Sequence, residues 1–162
     1  YYENINVVFT KSNADNEGRR INQMIDEFAL LFPENVVVHT SLGQLRYLST
    51  LQYVSGVVGN SSSGIIEAPS LQKGTVNIGN RQRGRLRAAS VIDCQADVKS
   101  IKRAIDPLFS SEFQSALPKV LNPYGEGDVA SKIVSVLKTY SLEGIVRKRF
   151  FDVVSSGKLG PT

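Results

Sequence analysis

The run Gly59-Asn60-Ser61-Ser62-Ser63-Gly64-Ile65-Ile66-Glu67 restricts the fold of this chain more than any other stretch. An apolar segment precedes it, Tyr53-Val54-Ser55-Gly56-Val57-Val58, and Ile65 to Leu71 follows with helical periodicity. A strand, a small-residue turn and a helix N-terminus have this layout. Such a turn is expected to leave backbone N–H groups unpaired at the positive end of a helix dipole. A phosphate supplies the acceptors those donors lack. Small residues admit a ligand close to the backbone, and serine hydroxyls add donors. Glu67 follows Ser63 by one helical turn, which places both on one side of the helix. A carboxylate there suits the hydroxyls of a ribose better than the phosphate itself. The stretch reads as a nucleoside-diphosphate site, with an ordinary serine-capped strand-to-helix connection as the simpler alternative.

The rest of the chain alternates in the same way. Ile5 to Thr10 reads as a buried strand, and Val36 to Val38, Val54 to Val58, Thr75 to Ile78 and Val91 to Cys94 as further strands. Helical spacing runs from Glu17 to Phe32, through Ile21, Ile25 and Phe28, and Pro33 ends it. Gly43 to Gln52, Asp97 to Leu108 and Asp128 to Tyr140 are further helices, and Leu142 to Phe151 extends the last or starts another. Asp97 is a favourable charge at its helix start. Strands alternating with helices predict an α/β fold with a mostly parallel sheet. Ligands of such sheets bind at the carboxyl ends of the strands. The polar turns Lys11–Asn16, Thr40–Gly43, Gly59–Gly64 and Gly79–Ala88 gather there.

Composition narrows the function classes. The chain has 162 residues, enough for one domain with a real core. Its net charge of +4 is mild and permits an anionic ligand without demanding nucleic acid. One cysteine, Cys94, excludes an internal disulfide, and with the single histidine, His39, it makes a zinc site within the chain implausible. No apolar run approaches the roughly 20 residues of a membrane span. The expectation is a cytoplasmic protein without metal or cofactor, with neither nucleic acid nor membrane as partner. The N-terminus lacks a signal peptide and an initiator Met and reads as a cut edge. Ser155 to Thr162 reads as a polar, mobile tail.

Outside the serine turn, Arg81-Gln82-Arg83-Gly84-Arg85-Leu86-Arg87 places four arginines in seven residues. Charge runs are commonly solvated surface. This one follows a strand, so it lies at the ligand end of the sheet, where arginines pair with a diphosphate through two hydrogen bonds at once. It has no interleaved aromatics for stacking on bases. Lys11 to Asp15 is a plain turn or, through Asn13, a ligand contact. His39 is as readily structural as functional. Cys94 reads as a buried small hydrophobe. Pro123 to Asp128 is a tight turn before a helix.

Taken together, three blocks resemble the C-terminal half of the UDP-N-acetylglucosamine 2-epimerases, in their hydrolysing branch of sialic-acid and related nonulosonic-acid synthesis. They are Phe9 to Asp15, Gly59 to Ser70, and Asn77 to Arg85; a fourth, Asn122 to Gly127, is shared across 2-epimerases. The match runs to about Asp152. The resemblance implies a Rossmann-like three-layer parallel sheet, the C-terminal half of a GT-B-type two-domain fold. Residues 1–152 would be a partial UDP-binding domain and 153–162 a flexible tail.

The resemblance assigns Ser61, Ser62 and Arg81 to the diphosphate, Glu67 to the ribose, Asn13 to the nucleotide, and Ser41 and Leu42 to the surroundings of the uracil. Ser63, Gly64 and Arg85 are further candidates. Some relatives carry proline at the Ser12 position. The implied reaction is elimination of UDP to a glycal, then addition of water, giving N-acetylmannosamine and UDP. Donors aimed at the diphosphate stabilise the charge that develops as UDP leaves. The carboxylates that move protons at the sugar would come from an N-terminal domain outside this chain, so no catalytic residue is expected here.

The resemblance further implies a first strand before Tyr1, ending in a histidine that His39 does not replace. That strand is central in the doubly wound order, and its loss leaves backbone groups unpaired. The isolated chain is therefore expected to bind UDP weakly or not at all and not to turn over substrate. The absent domain is an expected partner, and the complete protein is expected to be a homo-oligomer. Three alternatives stand beside this reading: a non-hydrolysing 2-epimerase, a GT-B glycosyltransferase, and a non-catalytic nucleotide-binding module.

Overall fold

A computed structural model describes residues 5–13, 17–125 and 127–147. Tyr1–Asn4, Ala14–Asn16, Glu126, the end of the 142–151 segment and the expected tail at 153–162 lie outside them. The chain divides into two compact units, 1–126 and 127–162. The first unit holds every strand and the serine turn.

Strands β1 (Val7–Thr10) and β2 (Val36–His39) pair in parallel, with Val7 opposite Val36. Strands β3 (Gly56–Gly59), β4 (Gly74–Ile78) and β5 (Val91–Cys94) form a second parallel sheet with β4 in the middle. The β-branched runs of the sequence became these strands: β1 starts two residues later than expected, β3 is shifted to start two residues later and end one later, β2 and β4 are one residue longer, and β5 has the expected bounds. β1 and β2 are neighbours in one parallel sheet, and β3, β4 and β5 are neighbours in the other. Among the described residues no ladder joins the two sheets.

Helix α1 (Gly18–Leu31) stops just before Pro33 and packs on β2. Phe28 meets Phe9 of β1 edge to face, at 6.1 Å between ring centres. Much of the apolar stripe of α1 faces solvent, including Ile21, Met24, Phe28 and Leu31. Helix α2 (Gly43–Tyr53) connects β2 to β3 and buries Leu51.

After the serine turn the expected helix from Ile65 to Leu71 is broken in two. Helix α3 (Ser63–Ile66) is a single turn, and a 3-10 turn, Ala68–Leu71, follows it. Pro69 has no N–H to donate to the carbonyl of Ile65, so the α-helix cannot continue through it.

Helix α4 (Val98–Leu108) packs on β4 and β5 and carries the core of Val76, Ala104 and Leu108. Ile78, Ile92, Cys94, Ile105 and Phe113 pack around these three. Asp97 is the cap of α4, not a first-turn charge: its side chain accepts from the Ser100 N–H at 2.9 Å. Helix α5 (Ser111–Ala116), absent from the sequence reading, is capped by the Ser110 hydroxyl, which accepts from the Phe113 N–H.

The second unit contains α6 (Val129–Thr139), whose N-cap Asp128 has φ +59°. The expected apolar positions Val129, Ile133, Val136, Leu137 and Tyr140 are solvent-exposed. No described helix is long and apolar enough to cross a membrane.

Candidate functional site

The site is built where β3 and β4 end. Gly59 pairs with Asn77, and Asn77 with Asp93, so one row crosses the three strands at their carboxyl ends. The serine turn rises from the β3 end of this row and the arginine loop from the β4 end.

Few backbone donors remain free in the turn. Gly64 N–H donates to the Ser61 carbonyl, Ile65 N–H to Ser62, and Ile66 N–H also to Ser62. These tight bonds use groups that an open helix start would leave unpaired. With only one turn of α3 behind it, the dipole contribution is also small. The donors that remain among the described residues are the Ser61 and Ser62 N–H groups and hydroxyls. Ser61 Oγ accepts from the Ser63 N–H at 3.3 Å and keeps its own proton to give. The Ser62 side chain makes no hydrogen bond among the described residues. Ser63 is committed elsewhere: its hydroxyl donates to the Tyr47 phenolic oxygen at 2.6 Å.

Gly64 lies directly over β4. A Cβ there would stand 2.6 Å from Thr75 Cγ2, so this position takes no larger residue without movement. The Thr75 hydroxyl donates to the Gly64 carbonyl at 2.7 Å and fastens α3 to the sheet.

Glu67 N–H closes the helical turn onto the Ser63 carbonyl at 2.9 Å, so Ser63 and Glu67 share a face as expected. Tyr47 lies against that face. Burial pushes its phenol up, the Ser63 hydrogen bond opposes this, and the charge of Glu67 adds to the rise. Glu67 Oε2 is buried without a hydrogen-bond partner among the described residues. An acceptor left so is costly, and it needs a donor from outside this set.

The arginine loop is held against the turn by a residue the sequence reading passed over. Gln82 is only 4% exposed, and its Nε2 donates to the Asn60 carbonyl at 2.7 Å. Its neighbours Arg81, Arg83 and Arg85 are exposed. Arg87 closes the loop with an ion pair to Asp93 at 2.8 Å and donates to the carbonyls of Gln82 and Arg85. The Asn122 amide donates to the Ile66 carbonyl at 2.8 Å, and the Tyr124 hydroxyl to Leu86 at 3.1 Å. The Asn122–Gly125 turn thus braces both the serine turn and the arginine loop.

The other candidates stand at the ends of the β1–β2 sheet. Asn13 is exposed just beyond β1, next to Ser12, whose backbone is tied to the Asn22 side chain. Ser41 Oγ accepts from the Gly43 N–H at 3.2 Å, and Leu42 is the half-buried N-cap of α2. No hydrogen bond among the described residues joins Asn13, Ser41 or Leu42 to the serine turn. Their connection runs through α2, where Tyr47 meets Ser63. His39 is exposed at the end of β2. Cys94 is half-buried, and burial first, then Asp97 and Asp93, pushes its thiol up. Among the described residues no group of three or more His, Cys, Asp or Glu is placed to hold a metal.

Parallel strands, connecting helices and a small-residue turn at the strand ends define an α/β domain of the Rossmann-like class. Within that class the chain belongs to the UDP-N-acetylglucosamine 2-epimerase family, whose model matches residues 1–138. It is 36% identical over 93% of its length to a protein of Campylobacter jejuni named GDP/UDP-N,N'-diacetylbacillosamine 2-epimerase (hydrolyzing). It is 35% identical over 90% to a polysialic acid biosynthesis protein of Escherichia coli. A third relative, from Legionella pneumophila, is named UDP-N,N'-diacetylbacillosamine 2-epimerase (hydrolyzing), at 30% identity over 86% of this chain. The chain spans 39%, 37% and 35% of these relatives' lengths.

Proposed function

We propose that this chain is the UDP-binding half of a hydrolysing UDP-N-acetylglucosamine 2-epimerase, converting UDP-N-acetylglucosamine and water to N-acetylmannosamine and UDP. One observation carries the reading. Two available hydroxyls, Ser61 and Ser62, immediately precede a single helical turn that ends at Glu67, whose buried Oε2 has no donor among the described residues. A nucleoside diphosphate complements both: phosphate oxygens accept from the serines, and ribose hydroxyls donate to the carboxylate.

In this reading Arg81 joins Ser61 and Ser62 on the diphosphate, with Ser63, Gly64 and Arg85 at its margin. Asn13 contacts the nucleotide, and Ser41 and Leu42 flank the uracil. The serine and arginine donors stabilise charge on the leaving UDP. Proton transfer at the sugar belongs to carboxylates of a preceding domain, in a GT-B-type arrangement. The same preceding polypeptide supplies the strand between β1 and β3. Residues 1–152 form the nucleotide domain, the complete protein is a cytoplasmic homo-oligomer, and its product feeds sialic-type sugar synthesis.

A second reading concerns the sugar. Two relatives carry names specifying N,N'-diacetylbacillosamine, which favours that diacetamido sugar as the group on UDP. Incubating the complete polypeptide with each UDP-sugar and analysing the products tests both readings. Free 2-epimerised sugar plus UDP supports hydrolysis. A UDP-linked product assigns the chain to the non-hydrolysing branch, and transfer to an acceptor makes it a glycosyltransferase.

A further inference from the structure

We infer that Gln82 is a positioning residue, which fixes the arginine loop on the serine turn and thereby places Arg81 at the diphosphate. The inference rests on the nucleotide reading above. In a loop whose arginines at 81, 83 and 85 are exposed, Gln82 alone is buried. Its Nε2 spans from the β4 side of the sheet to the Asn60 carbonyl, immediately before Ser61. Its own carbonyl accepts from the Arg85 N–H and from Arg87 Nη2. Arg87 is in turn seated on Asp93, and Asp93 accepts from the buried Asn77 amide at 2.6 Å.

The loop is therefore fixed at three points: on the sheet through Asn77, Asp93 and Arg87, on the Asn122–Gly125 turn through the Tyr124 hydroxyl at Leu86, and on the serine turn through Gln82. Arg81 is the residue next to the last of these. Consecutive Cα atoms are about 3.8 Å apart, so fixing Gln82 fixes the base of Arg81 as well. Gln82 Oε1 remains buried without a partner among the described residues. A buried acceptor so left disfavours glutamine on stability grounds alone, which leaves the bond made by Nε2 as the reason for the side chain.

A double-mutant cycle on the complete polypeptide, read by calorimetry with UDP, tests this. Gln82→Met keeps the length of the side chain and removes its hydrogen bonds. With Arg81 present it is expected to weaken UDP binding about tenfold, and in an Arg81→Ala background less than about twofold, because the two act as one unit. Equal losses in both backgrounds overturn the inference while leaving UDP binding intact. No UDP binding by the unsubstituted protein overturns the nucleotide reading and this inference together.

Gln82→Glu gives a second readout that does not depend on Gln82→Met folding. It keeps the shape and loses the N–H donor. Its deficit relative to the unsubstituted protein is expected to shrink as pH falls, because a protonated carboxyl again donates to the Asn60 carbonyl. A deficit independent of pH contradicts the proposed role.

Discussion

The Ser63 hydroxyl donates to the Tyr47 phenolic oxygen at 2.6 Å, and this one bond joins α2 to the serine turn. It also separates the three serines by role: Ser63 ties the turn to α2, while Ser61 and Ser62 keep hydroxyl protons to offer. Tyr47→Phe leaves Ser63 without this partner. A stability loss of about 0.5–1.5 kcal/mol is expected in urea denaturation. UDP affinity should fall less than it does for Ser62→Ala.

Contact between α3 and β4 sets the height of the turn over the sheet. Gly64→Ala drives a methyl into Thr75 Cγ2 and is expected to cost about 1–3 kcal/mol. Thr75→Ser removes that methyl and keeps the hydroxyl bonded to the Gly64 carbonyl. The double substitution should therefore be more stable than Gly64→Ala alone in chemical denaturation. A double variant no more stable than Gly64→Ala would place the strain elsewhere.

Helix α4 carries a pH-dependent cap. The Asp97 carboxyl lies below its ordinary value of 3.8, chiefly through the hydrogen bond from the Ser100 N–H. A carboxyl lowered in the folded state stabilises above its unfolded value and loses that contribution as pH falls through the folded one. Asp97→Ala should thus lower the melting temperature at neutral pH. The difference from the unsubstituted protein should narrow progressively as pH falls toward and below the ordinary value of 3.8.

The alternation of β-branched runs with 3.6-residue spacing made the α/β class and all five strands readable; only β4 is buried along most of its length, and Val8, Val37 and Val58 of the other strands are exposed. Helix α5 was not readable from periodicity: it is six residues long, and its signal is the cap Ser110. The division of the segment after Ser63 was written in Pro69, whose effect on the ladder outweighed the apolar spacing around it. In the candidate site, the strand-to-helix turn and the shared face of Ser63 and Glu67 were legible from spacing, while the assignment of Ser61 and Ser62 to a diphosphate came from the resemblance. Tyr47 had a signal that was not used, since it stands one helical turn before the buried Leu51. Gln82 had none: a glutamine among arginines gives no sign of burial until β4 and the serine turn are brought together.

The central claim is that Ser62 and Glu67 hold adjoining parts of one nucleotide, its diphosphate and its ribose. Calorimetric titration of UDP into the complete polypeptide, with and without Ser62→Ala combined with Glu67→Ala, tests it most directly. Hydrogen bonds to charged groups contribute about 1.5–3 kcal/mol each, so the double substitution should weaken UDP by roughly two orders of magnitude or more. An affinity unchanged by both substitutions together would contradict the account.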